Sequence, residues 1–336
     1  MKTKSKSTVY RYSSLKHFSW DFKKDISLEE KLVQSTILEW YDAKHRSVSK
    51  EEKEFINNLT VTSCPFCNSK EIVKNGHTSI GIQRYLCNHC KKRFNTLSGT
   101  IFDSKKIPIS EWIEYLLHLF EFHSIKTSAI DNRNVPSTGH YWLKKVFHVL
   151  KGIQENVVLD GTIYLDEMLL PVIKSKTIKK GGKKLRGISR NKINVACAIN
   201  KCGQSILIVG SSCKPNESST FQAYGKHIKE GSKIIHDAEK SHTYLISKLN
   251  LKSEVYKSIK TKGLNDEDNP LDPINNLHSL AKRFFKSHGS YNRDNLQDWL
   301  NLFWFITNEP KNKYDKVLKF IQIAVKKRKV IRYRDM

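Results

Sequence analysis

Apolar positions along this chain change their spacing about midway. Between about residues 108 and 152 they recur at helical period. Trp112, Ile113, Leu116, Leu117, Leu119 and Phe120 form one stripe after Pro108, with Ser110 as its expected N-cap. A second helical piece is expected near residues 125–132. After Asn134-Val135-Pro136 a third begins, capped by Ser137 or Thr138, with Trp142, Leu143, Val146, Val149 and Leu150 on one face. Helix, short helix, turn, helix is the order of a helix-turn-helix. From about residue 156 the pattern becomes strand-like. Residues 157–173, 192–200, 204–212 and 232–238 are apolar runs rich in β-branched side chains, separated by Gly, Asn and Lys. Residues 214–229 and 241–249 read as helices among them, and 274–286 and 293–306 as two late helices. The last has Leu296, Trp299, Leu300, Phe303 and Trp304 on its apolar face. Strands followed by late helices predict an α/β core.

Charge and length narrow the class. The 336 residues suffice for two or three domains. Lys and Arg number 59 against 33 Asp and Glu, a formal charge of +26 spread along the whole chain. That surplus predicts a polyanionic partner, because each neutralised phosphate releases counterions. No apolar stretch approaches the roughly 18 residues of a membrane span. The opening MKTKSKSTVYRYSS lacks the apolar segment of a secretory signal. Residues 1–60, anchored by Trp20, Phe22, Leu32, Ile37 and Trp40, read as a small helical lead-in with no assignable function. The remaining expected divisions are 61–100, 101–152 (helix-turn-helix), 153–310 (the α/β core) and a basic tail over 311–336.

Seven cysteines include two C-x-x-C pairs, Cys64–Cys67 and Cys87–Cys90. An odd count with this spacing favours metal thiolates over a disulfide framework. Two such knuckles around a hairpin suit one tetrahedral zinc, the alternative being free buried thiols. Tyr85, Arg93 and Phe94 flank the second knuckle, as in a ribbon with a basic face. His77 and His89 are spare ligands, expected at the surface.

Further chemistry lies in the second half. Asp166 and Asp237 each stand at or near the end of an apolar run, and Asn275 opens a late helix with Lys282 two turns on. Two acids from separate strands plus a polar helix residue can cage divalent metal for phosphodiester chemistry. Glu167 is the near alternative to Asp166 and is expected on the opposite strand face. Asn275 could equally be a helix cap. Asp266, Glu267, Asp268 and Asp272 lie just upstream as further oxygen donors. Residues 174–192 carry nine Lys/Arg and no acid around Gly181-Gly182, which reads as a β-hairpin or loop along a DNA backbone. Its Lys179, Lys180, Lys183, Lys184 and Arg186 are candidate phosphate contacts. So are His140 and Lys144 on the last helix of the helix-turn-helix, and Arg283.

Taken in order, these pieces resemble the DDE-superfamily transposases of bacterial insertion sequences, in the zinc-ribbon group with a DD-E/N-K signature. The carriers are CPFC…CNHC, FNTLSGTIF at 94–102, YLDE at 164–167, RGISRNKI at 186–193, HDAEKSH at 236–242 and INNLHSLAKRF at 274–284. The resemblance covers about residues 61–306. It implies a ribonuclease H-like core, two Mg²⁺ or Mn²⁺ ions, a structural Zn²⁺, and cleavage and strand transfer at element ends. By position Asp166 and Asp237 match the two catalytic aspartates. Asn275 stands where many relatives have glutamate, and Lys282 matches the lysine. Asp166 would then bridge both ions, Asp237 would hold one, and the Asn275 oxygen would touch the other. A cytoplasmic, nucleoid-associated protein is expected, acting on double-stranded DNA as a dimer or larger synaptic complex. The alternatives are an inactive transposase-derived DNA-binding protein, kept open by Asn275, and a metal-dependent nuclease without a joining step.

Overall fold

The computed structural model describes residues 7–10, 18–21, 48–103, 107–172, 177–185, 189–210, 214–257, 263–288 and 293–328. Phe22, Leu32, Ile37 and Trp40 of the lead-in, Arg186 of the basic insert, and the end of the tail lie outside them. In chain order the elements are β1 (Ser7–Tyr10), β2 (Phe18–Asp21), α1 (Lys50–Asn58), β3 (Ile72–His77), β4 (Gln83–Cys87), β5 (Arg93–Asn95), α2 (Ile109–Phe120), α3 (Ile125–Asp131) and α4 (Pro136–Leu150). Then follow β6 (Thr162–Pro171), β7 (Lys179–Lys180), β8 (Lys183–Lys184), β9 (Lys192–Asn200), β10 (Ser205–Val209), α5 (Glu217–Tyr224), β11 (Lys233–His236), α6 (Thr243–Lys248), β12 (Lys252–Val255), α7 (Asp272–Ser287), α8 (Leu296–Thr307) and α9 (Lys313–Lys326). The chain forms two compact units. One comprises residues 1–145 with 313–336, the other 146–312. No helix among the described residues is long and apolar enough to cross a membrane.

In the first unit, β1 and β2 form an antiparallel pair where a helical lead-in was expected. Both four-residue segments hold β-branched or aromatic residues, which suit a pleated ribbon. β3, β4 and β5 form the antiparallel ribbon that carries the cysteines. α2, α3 and α4 make the helix-turn-helix order read from the sequence. Trp112 stacks on Trp142 with centroids 4.3 Å apart, and the Tyr115 hydroxyl donates to the Gly139 carbonyl at 2.9 Å. The expected caps do not hold. α2 starts one residue before Ser110, and the Glu52 carboxylate accepts from the Ile109 and Ser110 amides instead. An anion at the positive end of a helix does the work of a side-chain cap. α4 starts at Pro136, so Ser137 and Thr138 lie inside its first turn, as the fixed φ of proline at N1 favours.

The stretch read as a basic tail also needs correction, because residues 313–326 form a helix packed against α2. Val317, Phe320, Ile321, Ala324 and Val325 are buried at helical spacing beneath the charged residues. Beyond it, Arg328 donates to the Thr96 and Ser98 carbonyls at 2.8 and 2.7 Å.

The second unit is built on a five-stranded sheet in the order β10-β9-β6-β11-β12. β6, β9 and β10 are antiparallel neighbours, whereas β11 runs parallel to both β6 and β12. This mixed α/β sheet, flanked by helices, is the ribonuclease H-like arrangement. Central β6 buries Ile163 and Leu165 on one face and Met168 and Leu170 on the other, as a strand covered on both sides must. α7 packs against β6 and β9, α8 against β10. Along β10 the Trp304 indole donates to the Ser205 carbonyl at 2.5 Å and the Gln297 amide to the Leu207 carbonyl at 3.1 Å. These helices therefore grip strand backbone as well as apolar side chains.

Candidate active site

Register brings the two aspartates together. β11 pairs in parallel with β6 from Lys233↔Thr162 to His236↔Leu165. Asp166 follows Leu165 on β6 and Asp237 follows His236 just past the end of β11, so strand spacing sets the two backbones about 5 Å apart, close enough for the charge of Asp237 to act on Asp166. Each carboxylate is oriented locally: Asp166 Oδ1 accepts from the Glu167 amide at 2.8 Å, and Asp237 Oδ1 from the Glu239 amide at 3.0 Å. Burial, then the neighbouring charges of Asp237 and Glu167, push the Asp166 carboxyl up to about 7. Crowded carboxylates held ready by backbone N–H groups fit a divalent cation, whose charge would relieve their repulsion.

Glu167 lies on the other face, as expected, within a buried chain that the sequence reading did not find. Its Oε1 meets His242 Nε2 at 3.1 Å and the Tyr224 hydroxyl at 3.3 Å. His242 Nδ1 meets His236 Nδ1 at 2.9 Å, and His236 Nε2 meets Ser253 Oγ at 2.9 Å. One assignment with neutral rings satisfies every nitrogen: His242 donates to Glu167, His236 donates to His242, and Ser253 donates to His236. Burial, with His242 alongside, holds His236 down to about 4, which keeps that ring neutral. The chain ties β6, β11, β12 and the segment before α6 together directly behind the two aspartates. Its only sequence signal was the pair of histidines bracketing HDAEKSH.

α7 completes the site from the front. Asn275, His278 and Lys282 fall at i, i+3 and i+7, one stripe of the helix. Asn275 is the fourth residue of α7, not its cap, and is exposed. An α7 residue to which the sequence reading gave no role lies against Asp166: His278 Nδ1 is 3.8 Å from its Oδ2. His278 is buried, with no hydrogen-bond partner for Nε2. Burial, then the charge of Lys282, lowers it to about 4, so it is a neutral imidazole. Lys282 is exposed, and its charge reaches buried Cys197, the register partner of Asp166 on β9. Arg283 is exposed one position on. Among the upstream acids, Asp272 is engaged by the Asn276 amide at 2.7 Å.

The four cysteines converge in the first unit. Cys64 and Cys90 sulfurs are 3.6 Å apart, as are those of Cys67 and Cys87. All four lie within 4.8 Å of one another. A tetrahedral ion with Zn–S of about 2.3 Å has an edge of about 3.8 Å, so the set fits zinc. The Cys90 amide points at Cys87 Sγ and, with other local donors, lowers that thiol to about 6. Phe94 packs on the buried thiols and stacks on Tyr85 at 5.6 Å.

The expected DNA contacts that lie among the described residues occupy exposed surfaces. Lys179, Lys180, Lys183 and Lys184 lie on a β7–β8 hairpin whose turn is Gly181-Gly182, with φ of 57° and 75°. Two positive φ values make this a turn that glycine adopts without strain. Asn191 anchors the hairpin by exchanging both amide hydrogen bonds with Ile178. On α4, His140 and Lys144 are exposed one turn apart. Lys145 turns inward instead, donating to the Ile101 carbonyl at 2.9 Å.

Residues 59–91 match the family of the InsA N-terminal domain, a zinc ribbon. Over 65 residues the chain is 29% identical to a protein of the transposable element ISH50 from Halobacterium salinarum; this is 19% of the chain, which spans about a fifth (21%) of that relative's length. Among solved structures it is similar to the catalytic domain of the Mos1 mariner transposase, with a TM-score of 0.29, 13% identity, 56% of this chain and 94% of that one. It is also similar to a chain of the simian T-cell lymphotropic virus intasome, with a TM-score of 0.29, 11% identity, 58% of this chain and 66% of that one.

Proposed function

We propose that the chain is an insertion-sequence transposase that binds the DNA ends of its element and cuts and joins them at a divalent-metal site. One observation carries the reading: Asp166 on β6 and Asp237 just after the parallel β11 follow neighbouring register positions, and His278 of α7 lies 3.8 Å from Asp166. The zinc ribbon ahead of this core, of the InsA type, supports it.

Asp166 and Asp237 hold the metal through hard oxygen donors. When bound, divalent ions supply an activated oxygen nucleophile and neutralise the leaving oxygen of a phosphodiester. His278 adds an imidazole beside Asp166, and Asn275 a neutral oxygen at the exposed start of the same stripe. Lys282 brings positive charge to the phosphate as negative charge develops there. Lys179, Lys180, Lys183, Lys184, Arg186 and Arg283 hold DNA backbone, while His140 and Lys144 face a groove from α4. Joining two ends requires a dimer or larger assembly.

The test incubates purified protein with Mg²⁺ or Mn²⁺ and labelled DNA carrying the repeats that flank its coding sequence. Joined product is expected, falling at least about a hundredfold in Asp166→Asn or Asp237→Asn. Cleavage without joining would identify a nuclease. Bound but unreacted ends would identify a DNA-binding derivative with a dead site. Joining undiminished in Asp166→Asn would overturn the site.

A further inference from the structure

A second cluster of metal-ligating side chains lies in the first unit, among helix-turn-helix residues to which the sequence reading gave no role. His118 stands in the last turn of α2, His123 in the connection to α3, and Asp131 at the end of α3. His118 Nδ1 is 3.0 Å from His123 Nδ1 and 3.4 Å from Asp131 Oδ2. The three donor atoms all lie within 4.8 Å of one another. Phe122, with φ of 64°, reverses the backbone so that the His123 amide returns to the His118 carbonyl at 3.1 Å and the rings meet.

Those distances are the dimensions of a coordination shell. A Zn–N distance of about 2.0–2.1 Å gives a tetrahedral edge of about 3.3 Å. The ribbon thiols provide a scale within the same protein, at 3.6 Å against about 3.8 Å. Protons alone serve the cluster badly. If His123 donates to His118, Asp131 Oδ2 faces a lone pair on His118 Nδ1. If His118 donates, a single hydrogen is divided between two acceptors. The outer groups also match a metal site. Glu121 Oε2 lies 4.0 Å from His123 Nε2, and its other oxygen accepts from Lys313 Nζ at 2.7 Å. At 4.0 Å the Glu121–His123 contact is not a hydrogen bond, but a small turn of the ring would let the anchored carboxylate accept the Nε2 hydrogen and orient the ligand.

We propose that His118, His123 and Asp131 form a second metal site, for a borderline divalent cation of the zinc class, clasping the end of α2 to both ends of α3. Two imidazoles and one carboxylate select such an ion over Mg²⁺. A tetrahedral ion here takes its fourth ligand from water.

Cobalt(II) titration of the full chain tests this, in an Asp166→Asn/Asp237→Asn background so that the acidic face takes none. Two equivalents are expected: one with the intense near-ultraviolet charge-transfer bands of four thiolates, one with only weak visible bands. His118→Ala/His123→Ala should lose the second and keep the first. Glu121→Gln should keep both but weaken the second by about tenfold. Because all three ligands are partly exposed (27%, 38% and 40% of the side chain), these changes leave the core intact. Asp131→Asn, which keeps both rings, should also weaken the second site. Uptake of one equivalent by the parent protein, or of two by the double-histidine variant, overturns the proposal.

Discussion

Asp166 and Glu167 are chain neighbours with opposite surroundings. Glu167 is satisfied by His242 and Tyr224, whereas Asp166 faces a second aspartate and a neutral imidazole. The energetic consequence has a definite sign. The Asp166 carboxyl is raised in the folded chain to about 7, from an ordinary value of 3.8. Its protonated form therefore favours folding. That contribution is fully present below about pH 4 and is lost as pH rises through 7. Without divalent metal, Asp166→Asn should be more stable than the parent at pH 8, by about 2–4 kcal/mol, with the difference closing toward pH 4. Urea denaturation across that range measures it, and a constant difference would contradict the crowding. At this scale the sequence was partly legible. Asp237 was marked by the apolar run it follows, whereas Asp166, read as standing near the end of its run, is the fifth of ten residues in β6. His278 and the Glu167–His242–His236 chain were not marked, because a buried histidine meets its partner through tertiary packing that no local pattern encodes.

Element types were easier to read than element ends. Period-2 and period-3.6 patterning located β6, β9, β10, β11 and the helices α2, α4, α7 and α8, since each must bury one face or both. The caps were misread because Glu52, distant in sequence, and Pro136 took over the N-termini of α2 and α4. Gly139 illustrates a constraint between elements. A Cβ there would stand 2.8 Å from the Ala129 Cβ and 3.1 Å from the Ile125 carbonyl oxygen, so α3 and α4 meet through the missing side chain. Gly139→Ala gains up to about 1 kcal/mol of helix propensity but forces the helices apart. A net loss of about 1–2 kcal/mol is expected in thermal melts, with weaker binding of element-end DNA. A more stable variant would mean that the pair yields freely. The β7–β8 hairpin makes a separate claim. Changing Lys179, Lys180, Lys183 and Lys184 to glutamine should lower the slope of log affinity for DNA against log salt by about 3–4, from about 0.9 per phosphate. An unchanged slope would remove the hairpin from the interface.

The whole chain joins two units whose candidate metal ligands differ, thiolates in one and carboxylates in the other. The first holds the four-cysteine ribbon, a small fold with few buried apolar groups, which a bound zinc ion would stabilise. The second has a continuous core around β6, and its proposed metals bind carboxylates at the surface of an already complete sheet. Cysteine spacing made the ribbon legible without a structure. The placing of residues 313–326 with the first unit was not legible, because a lysine-rich surface hid the apolar stripe of α9. The division predicts two separable responses in calorimetry at neutral pH. A strong zinc chelator should lower or abolish the transition of the ribbon-bearing unit and leave the other in place. Mn²⁺ added to the intact protein should raise the transition of residues 146–312, since an ion bound only by the native state stabilises it by mass action. That rise should vanish in Asp237→Asn, while the response to chelator persists. A Mn²⁺ effect that survives loss of Asp237 would place the ion away from the two aspartates, and the proposed chemistry would lose its site.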